Sequence, residues 1–124
     1  MEYQFYEAFK VDPIIQEKVG QRIKFYKYPN TEDLEKGPFI IIDPLDPPLP
    51  SDYADNKWLT EDYLYQIEVW SFNKTDRDLV AKQIQQILWD QFNFGNYGGG
   101  VDEWDQDLNV YRDARRYRGK KYVN

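Results

Sequence analysis

The stretch 63-YLYQIEVWSFNKTDRDLVAKQI-84 changes its hydrophobic period partway along, with no glycine or proline to mark the change. Up to Val69 it alternates. Tyr63, Tyr65, Ile67 and Val69 fall on one side, while Gln66 and Glu68 fall on the other. A period of two is that of a strand with one covered face. Trp70 and Phe72 share the Gln66/Glu68 side, so that face turns apolar toward its end. After Asn73 the period becomes helical, with Val80, Ile84, Ile87 and Leu88 on one stripe and Leu79 beside it. Thr75 and Asp78 have the spacing of a capping box with Asp in place of Glu, and Asp76 and Asp78 suit the positive end of a helix. The stretch therefore predicts a strand-to-helix corner at the centre of the domain.

The flanking segments extend this pattern. Upstream, 2-EYQFYEAFKVD-12 sets Phe5, Tyr6 and Phe9 at helical spacing, and Asp12-Pro13 starts a second short helical turn through Ile14, Ile15 and Val19 that stops at Gly20. Residues 21-QRIKFYKYP-29 alternate as a strand ending before Pro29, and 30-NTEDLEKG-37 reads as a polar loop. The continuous apolar run 38-PFIII-42 suits a strand buried on both faces. Residues 43–58 hold four of the seven prolines and four acids, which predicts a long, extended, exposed loop over 44–58. Downstream, 93-NFGNYGGG-100 ends the helix in a flexible turn, and 101-VDEWDQDLNVYRDARRYRG-119 reads as a terminal strand or hairpin. The order predicts one α+β domain spanning residues 1–124. It is a two-layer sandwich of four to five mainly antiparallel strands, with two main helices on one face. Phe5, Phe9, Phe39, Tyr65 and Phe92 are its expected interior.

Composition narrows the chemistry. The 124 residues contain neither cysteine nor histidine, which excludes a disulfide scaffold, cysteine-ligated zinc, a thiol nucleophile and a Ser-His triad. No apolar run approaches the length of a membrane span, and no signal-peptide core is evident, so the expected compartment is cytoplasmic. Residues 105-DQDLN-109 match the first half of a calcium loop, but Val110 stands where glycine is needed and Arg116 where a bidentate Glu is needed. Asp43, Asp46, Asp102, Glu103, Asp105 and Asp107 share no fixed geometry as a carboxylate pair, and 95-GNYGGG-100 lacks the Lys-Ser/Thr of a phosphate loop.

Charge is uneven. The net charge is −6, yet 112–121 carries six basic residues and one acid, leaving ten bases and twenty-one acids elsewhere. An acidic body with a basic end can attract a copy of itself or a complementary partner. Arg112, Arg115, Arg116 and Arg118 are the candidate cationic contacts. Asp52, Tyr53, Asp55 and Trp58 in the proline-rich segment, with Trp104, are the other candidate contacts. A nucleic-acid module using the basic C-terminus is a competing reading, and the acidic body opposes it.

Taken in order, an aromatic N-terminal helix leads to 19-VGQRIKFYKYP-29, then 38-PFIIID-43, then 65-YQIEVWSF-72 running into a helix, and a last strand ending RRYRG. This resembles the tail-terminator and tail-completion (tail-to-head joining) proteins of long-tailed bacteriophages and prophages. The resemblance implies a structural subunit with no active site, no cofactor and no metal. It would assemble as a homo-oligomer, a hexameric ring in the assembled tail with a monomer in solution as an alternative, between the tail-tube protein and the head connector or completion protein. Its implied location is the virion tail, and the bacterial host cytoplasm during assembly, with no membrane. A neck or head-closure role in the same phage module is the alternative.

Overall fold

The computed structural model describes residues 1–123. In chain order it contains α1 (Glu2–Val11), α2 (Pro13–Lys18), β1 (Ile23–Phe25), α3 (Thr31–Lys36), β2 (Phe39–Pro44), β3 (Leu49–Ala54), β4 (Lys57–Ser71), α4 (Lys74–Phe92), β5 (Gly95–Asn96), β6 (Val101–Asp105) and β7 (Val110–Tyr122). The alternating stretch around Tyr65 is the end of β4, and the helical stripe is α4. The fold is α+β, with seven strands where the sequence predicted four to five.

Two long strands form the middle of the sheet. β4 and β7 pair antiparallel from Thr60↔Tyr122 to Ser71↔Tyr111. The outer side of β4 is shared by β2, opposite residues 65–70, and β3, opposite residues 57–62. The outer side of β7 is shared by β6 and β5. β1 adds parallel to β2, giving the order β1-β2-β4-β7-β5.

The core lies on both faces of β2. On one face α1, α2 and α4 cover Ile40, Ile42, Tyr65, Ile67, Val69 and Tyr117 with Phe5, Phe9, Ile15, Val80, Ile84 and Leu88. On the other, Phe39 and Ile41 pack with Leu34 of α3, Val110, Trp70 and Phe72. Pleating sends neighbouring residues of the apolar run to opposite faces, so the whole run is buried. Three helices lie on one face, as expected of the main pair, while α3 covers part of the other.

Several local expectations are corrected. Residues 30–37 are not a loop. Asn30 accepts from the Asp33 amide at 2.9 Å and Asp33 accepts from the Asn30 amide at 3.1 Å, a reciprocal cap that starts α3. The cap of α4 is Asn73, accepting from the Asp76 amide at 3.0 Å, and not Thr75. Residues 44–58 are mostly exposed, but only 45–48 are irregular. Asp55 and Asn56 both take positive φ (52° and 63°), the two-residue turn whose twist matches a hairpin, and Leu49–Ala54 returns along β4. Pro50 is tolerated because β3 is an edge strand, and Pro47 and Pro48 lie in the connection between β2 and β3. Phe94, assigned from sequence to a flexible turn, is fully buried.

A candidate protein–protein interface

The open face of the sheet is a charged ladder built by pleating. Directly opposed residues of antiparallel strands share a face. Thus Asp62, Leu64, Gln66, Glu68 and Trp70 of β4 lie beside Lys120, Arg118, Arg116, Ala114 and Arg112 of β7. The basic end of the chain therefore lies along its own acidic strand.

At the centre of the ladder, Glu68 is fully buried. It accepts from Arg112 Nε at 2.6 Å, Gln66 Nε2 at 2.9 Å and Trp70 Nε1 at 3.1 Å. Burial pushes its carboxyl up, but these bonds and the Arg112 charge outweigh burial and hold it below the usual glutamate range. Arg112 also reaches Glu103 of β6 at 3.0 Å and lies over the Trp70 ring, 5.9 Å from its centre. Asp43 of β2 stands beside Glu68. Burial and the Glu68 charge push it above the usual aspartate range. The two neighbouring carboxyls are thus driven in opposite directions, because Arg112 contacts only one of them.

On the helix face a second arginine ties the layers together. Arg77, in the first turn of α4, has a side chain 1% exposed. It contacts Asp78 and Asp102 at 2.6 Å each and donates to the Arg112 carbonyl at 3.2 Å. Desolvation lowers its affinity for a proton, and the two carboxylates more than restore it.

The candidate contact residues fall into two clusters at opposite ends of the sheet. Asp52, Tyr53, Asp55 and Trp58 sit on the β3–β4 hairpin, where Tyr53 (68% exposed) faces Trp58 (48%). Asp52 accepts from Thr60 Oγ1 at 2.6 Å and Lys120 Nζ at 3.1 Å, and its carboxyl lies below the usual range for that reason. Trp104 lies on the β6–β7 hairpin, half-exposed, with its ring 6.3 Å from that of Tyr111 and its Nε1 donating to Asn109 at 3.1 Å. The eleven steps of β7 from Tyr111 to Tyr122 separate the clusters by roughly 35 Å. Leu49, Leu59 and Tyr122, not singled out in the sequence, extend the exposed apolar surface at the β3–β4 end.

The four arginines are largely engaged inside the chain. Arg112 serves Glu68 and Glu103, Arg115 contacts Asp113 at 3.0 Å and Gln85 at 2.6 Å, and Arg118 meets Asp62 at 3.4 Å over the Tyr97 ring. Among the described residues Arg116 has only a 3.4 Å contact to Gln66. Three of the four thus pair with carboxylates of this chain itself. Arg116→Glu is therefore expected to change the unfolding free energy by less than about 0.5 kcal/mol, measured by urea denaturation. A larger loss would show that Arg116 belongs to the ladder's internal pairing.

Asp105, part of the partial calcium-loop match, spends Oδ1 on the amides of Asp107 (2.9 Å) and Leu108 (3.1 Å), forming the β6–β7 turn. Among the described residues, no group of three or more His, Cys, Asp or Glu is placed to hold a metal, and no helix is long and apolar enough to cross a membrane. A small cleft of about 220 Å³ lies between Asp46, Leu49, Asp62, Leu64, Tyr97 and Arg118.

No protein-family model matches the sequence, and no curated protein matches it. The fold is similar to that of a chain in the virion of a native gene transfer agent (GTA) particle. The TM-score is 0.66 at 12% identity, over 95% of this chain and 91% of that one. At that identity the likeness is one of fold.

Proposed function

We propose that this chain is a structural protein of a phage or phage-like particle that caps the tail tube and joins tail to head through a ring of its own copies. The observation that carries this reading is the likeness in fold, over nearly the whole of both chains, to a component of a gene transfer agent virion. The order of elements that resembles tail-terminator proteins points the same way. So does the surface, where aromatic side chains stand exposed on hairpins at both ends of one sheet. Function here is complementary shape repeated by symmetry. A contact between unlike surfaces closes into a ring when the rotation between neighbours allows it.

The test is removal of the protein from an assembling particle, followed by negative-stain microscopy. Loss of a tail cap leaves tubes of uncontrolled length, and restoring the protein returns tubes of fixed length with a ring at one end. Tails of normal length that fail to join heads would indicate a head-closure role instead. Normal, joined tails would overturn both. The nucleic-acid reading is disfavoured by the pairing of Arg112, Arg115, Arg118 and Lys120 with carboxylates of the same chain, and salt-sensitive oligonucleotide binding would reinstate it.

A further inference from the structure

The two edges of the sheet carry opposite charge. β1 closes one edge, while β6 and β5 close the other, and among the described residues each pairs with a strand on its inner side only. The segment containing β1, 21-QRIKFYKY-28, has three bases and no acid. Lys24 and Lys27 are exposed, and neither forms an ion pair among the described residues. Among the described residues Arg22 donates only to neutral carbonyls, Pro38 O at 3.0 Å and Lys18 O at 2.8 Å. At the other edge, 101-VDEWDQDLN-109 has four acids and no base. Arg77 and Arg112 reach it from α4 and β7, but each is shared with a second carboxylate, Asp78 or Glu68, so the edge stays acidic. Exposed aromatics flank both edges: Tyr26 and Tyr28 at one, Trp104 at the other.

Resting on the ring reading above, we propose that the β6 edge of one copy docks on the β1 edge of the next, as the repeated contact of the assembly. Strand direction permits it. β1 runs parallel to β2, while β2 and β7 both oppose β4, and β6 opposes β7. Hence β1 and β6 run oppositely, and a head-to-tail repeat that preserves strand direction brings them together antiparallel. Charge excludes the symmetric alternatives, because β6 against β6 sets acid on acid and β1 against β1 sets base on base. The remaining free edge, on β3, is ill suited to strand addition. Pro50 lacks an amide hydrogen and Asp52 turns to positive φ (55°), two features that blunt an edge.

Sedimentation equilibrium over a concentration series, with the ladder arginines untouched, tests the contact. Wild type is expected to self-associate, and more weakly as salt rises from about 0.05 M to about 0.5 M. Lys24→Glu/Lys27→Glu and Glu103→Lys/Asp107→Lys are each expected to weaken association at least about tenfold. Circular dichroism checks that each variant is folded; if one is not, Lys24→Gln/Lys27→Gln replaces the first, and Asp107→Lys, which leaves the Arg112–Glu103 pair intact, replaces the second. Mixed in equal amounts, the two variants set the intact acidic β6 edge of the first against the intact basic β1 edge of the second, and association should return at that contact. Wild-type association that is indifferent to salt and to both reversals, or a mixture that fails to recover, overturns the edge contact while leaving the ring reading standing. Wild type that assembles neither in solution nor on tail tubes overturns both.

Discussion

Glu68→Ala is expected to lower the unfolding free energy by about 3 kcal/mol, measured by urea denaturation near neutral pH. Removing one member of a buried ion pair typically costs about 3–5 kcal/mol, because the partner's charge loses its compensation. The low end applies, since Arg112 keeps Glu103 and its side chain is 26% exposed. The loss is not confined to Arg112. Gln66 Nε2 and Trp70 Nε1 also donate to Glu68, and both lose their acceptor. Glu68→Gln should cost less, because its carbonyl oxygen retains part of this bonding. The pH dependence has a definite sign. A carboxyl held below its unfolded value binds fewer protons in the native state, so its stabilisation is present above the ordinary glutamate range and is lost as pH falls through the native value. Asp43 and Asp113 lie on the other side, both raised chiefly by burial. Their cost appears as pH rises through the aspartate range and is relieved in acid. The acid-limb loss in wild type that disappears in Glu68→Gln is therefore the part owed to Glu68. An unchanged acid limb in that variant would remove Glu68 from the account.

Phe94→Ala is expected to cost about 3–5 kcal/mol, the range for deleting a fully buried aromatic side chain. Phe94 lies against Phe5 at 5.3 Å (83°), Tyr65 at 6.2 Å and Tyr63 at 6.2 Å between ring centres, joining α1 to the sheet after α4 has ended. Edge-to-face geometry of this kind adds to the area buried. Gly119 of β7 makes the placement possible, since a Cβ there would overlap the Phe94 ring. Gly119→Ala alone should therefore destabilise by overpacking, by about 1–3 kcal/mol. In the Phe94→Ala background the same methyl enters vacated space, and its cost should vanish or reverse. A double-mutant cycle reads that coupling directly, and additivity would mean the two residues are not in the contact described.

The readable parts of the sequence were those governed by periodicity. β4 and α4 followed from alternation giving way to a helical stripe, and β2 from an uninterrupted apolar run bounded by turn residues. Where the reading failed, the deciding residues were few and local. The cap of α3 was present as Asn30 and Asp33, three residues apart, within a segment taken as polar loop. The β3–β4 hairpin turned on Asp55-Asn56, a less familiar pair than Asn-Gly for positive φ, amid prolines that suggested irregular chain. The glycine-rich surroundings of Phe94 suggest a flexible turn, but Asn93 in the left-handed conformation (φ 58°) and the Phe94 amide donating to Leu88 O at 2.9 Å turn Phe94 inward against Gly119.

By itself the sequence determined the class of fold, the strand-to-helix corner and the lack of cysteine and histidine chemistry, because each depends on residue type and local spacing. It also placed a basic tail on an acidic chain, but not what that tail meets. Only the tertiary structure set β7 beside β4, so that Arg112 and Arg118 face Glu68 and Asp62, more than forty positions away in sequence. Cross-strand register is a long-range property, fixed by which pairing buries Tyr65, Ile67 and Tyr117 together, and no local pattern carries it.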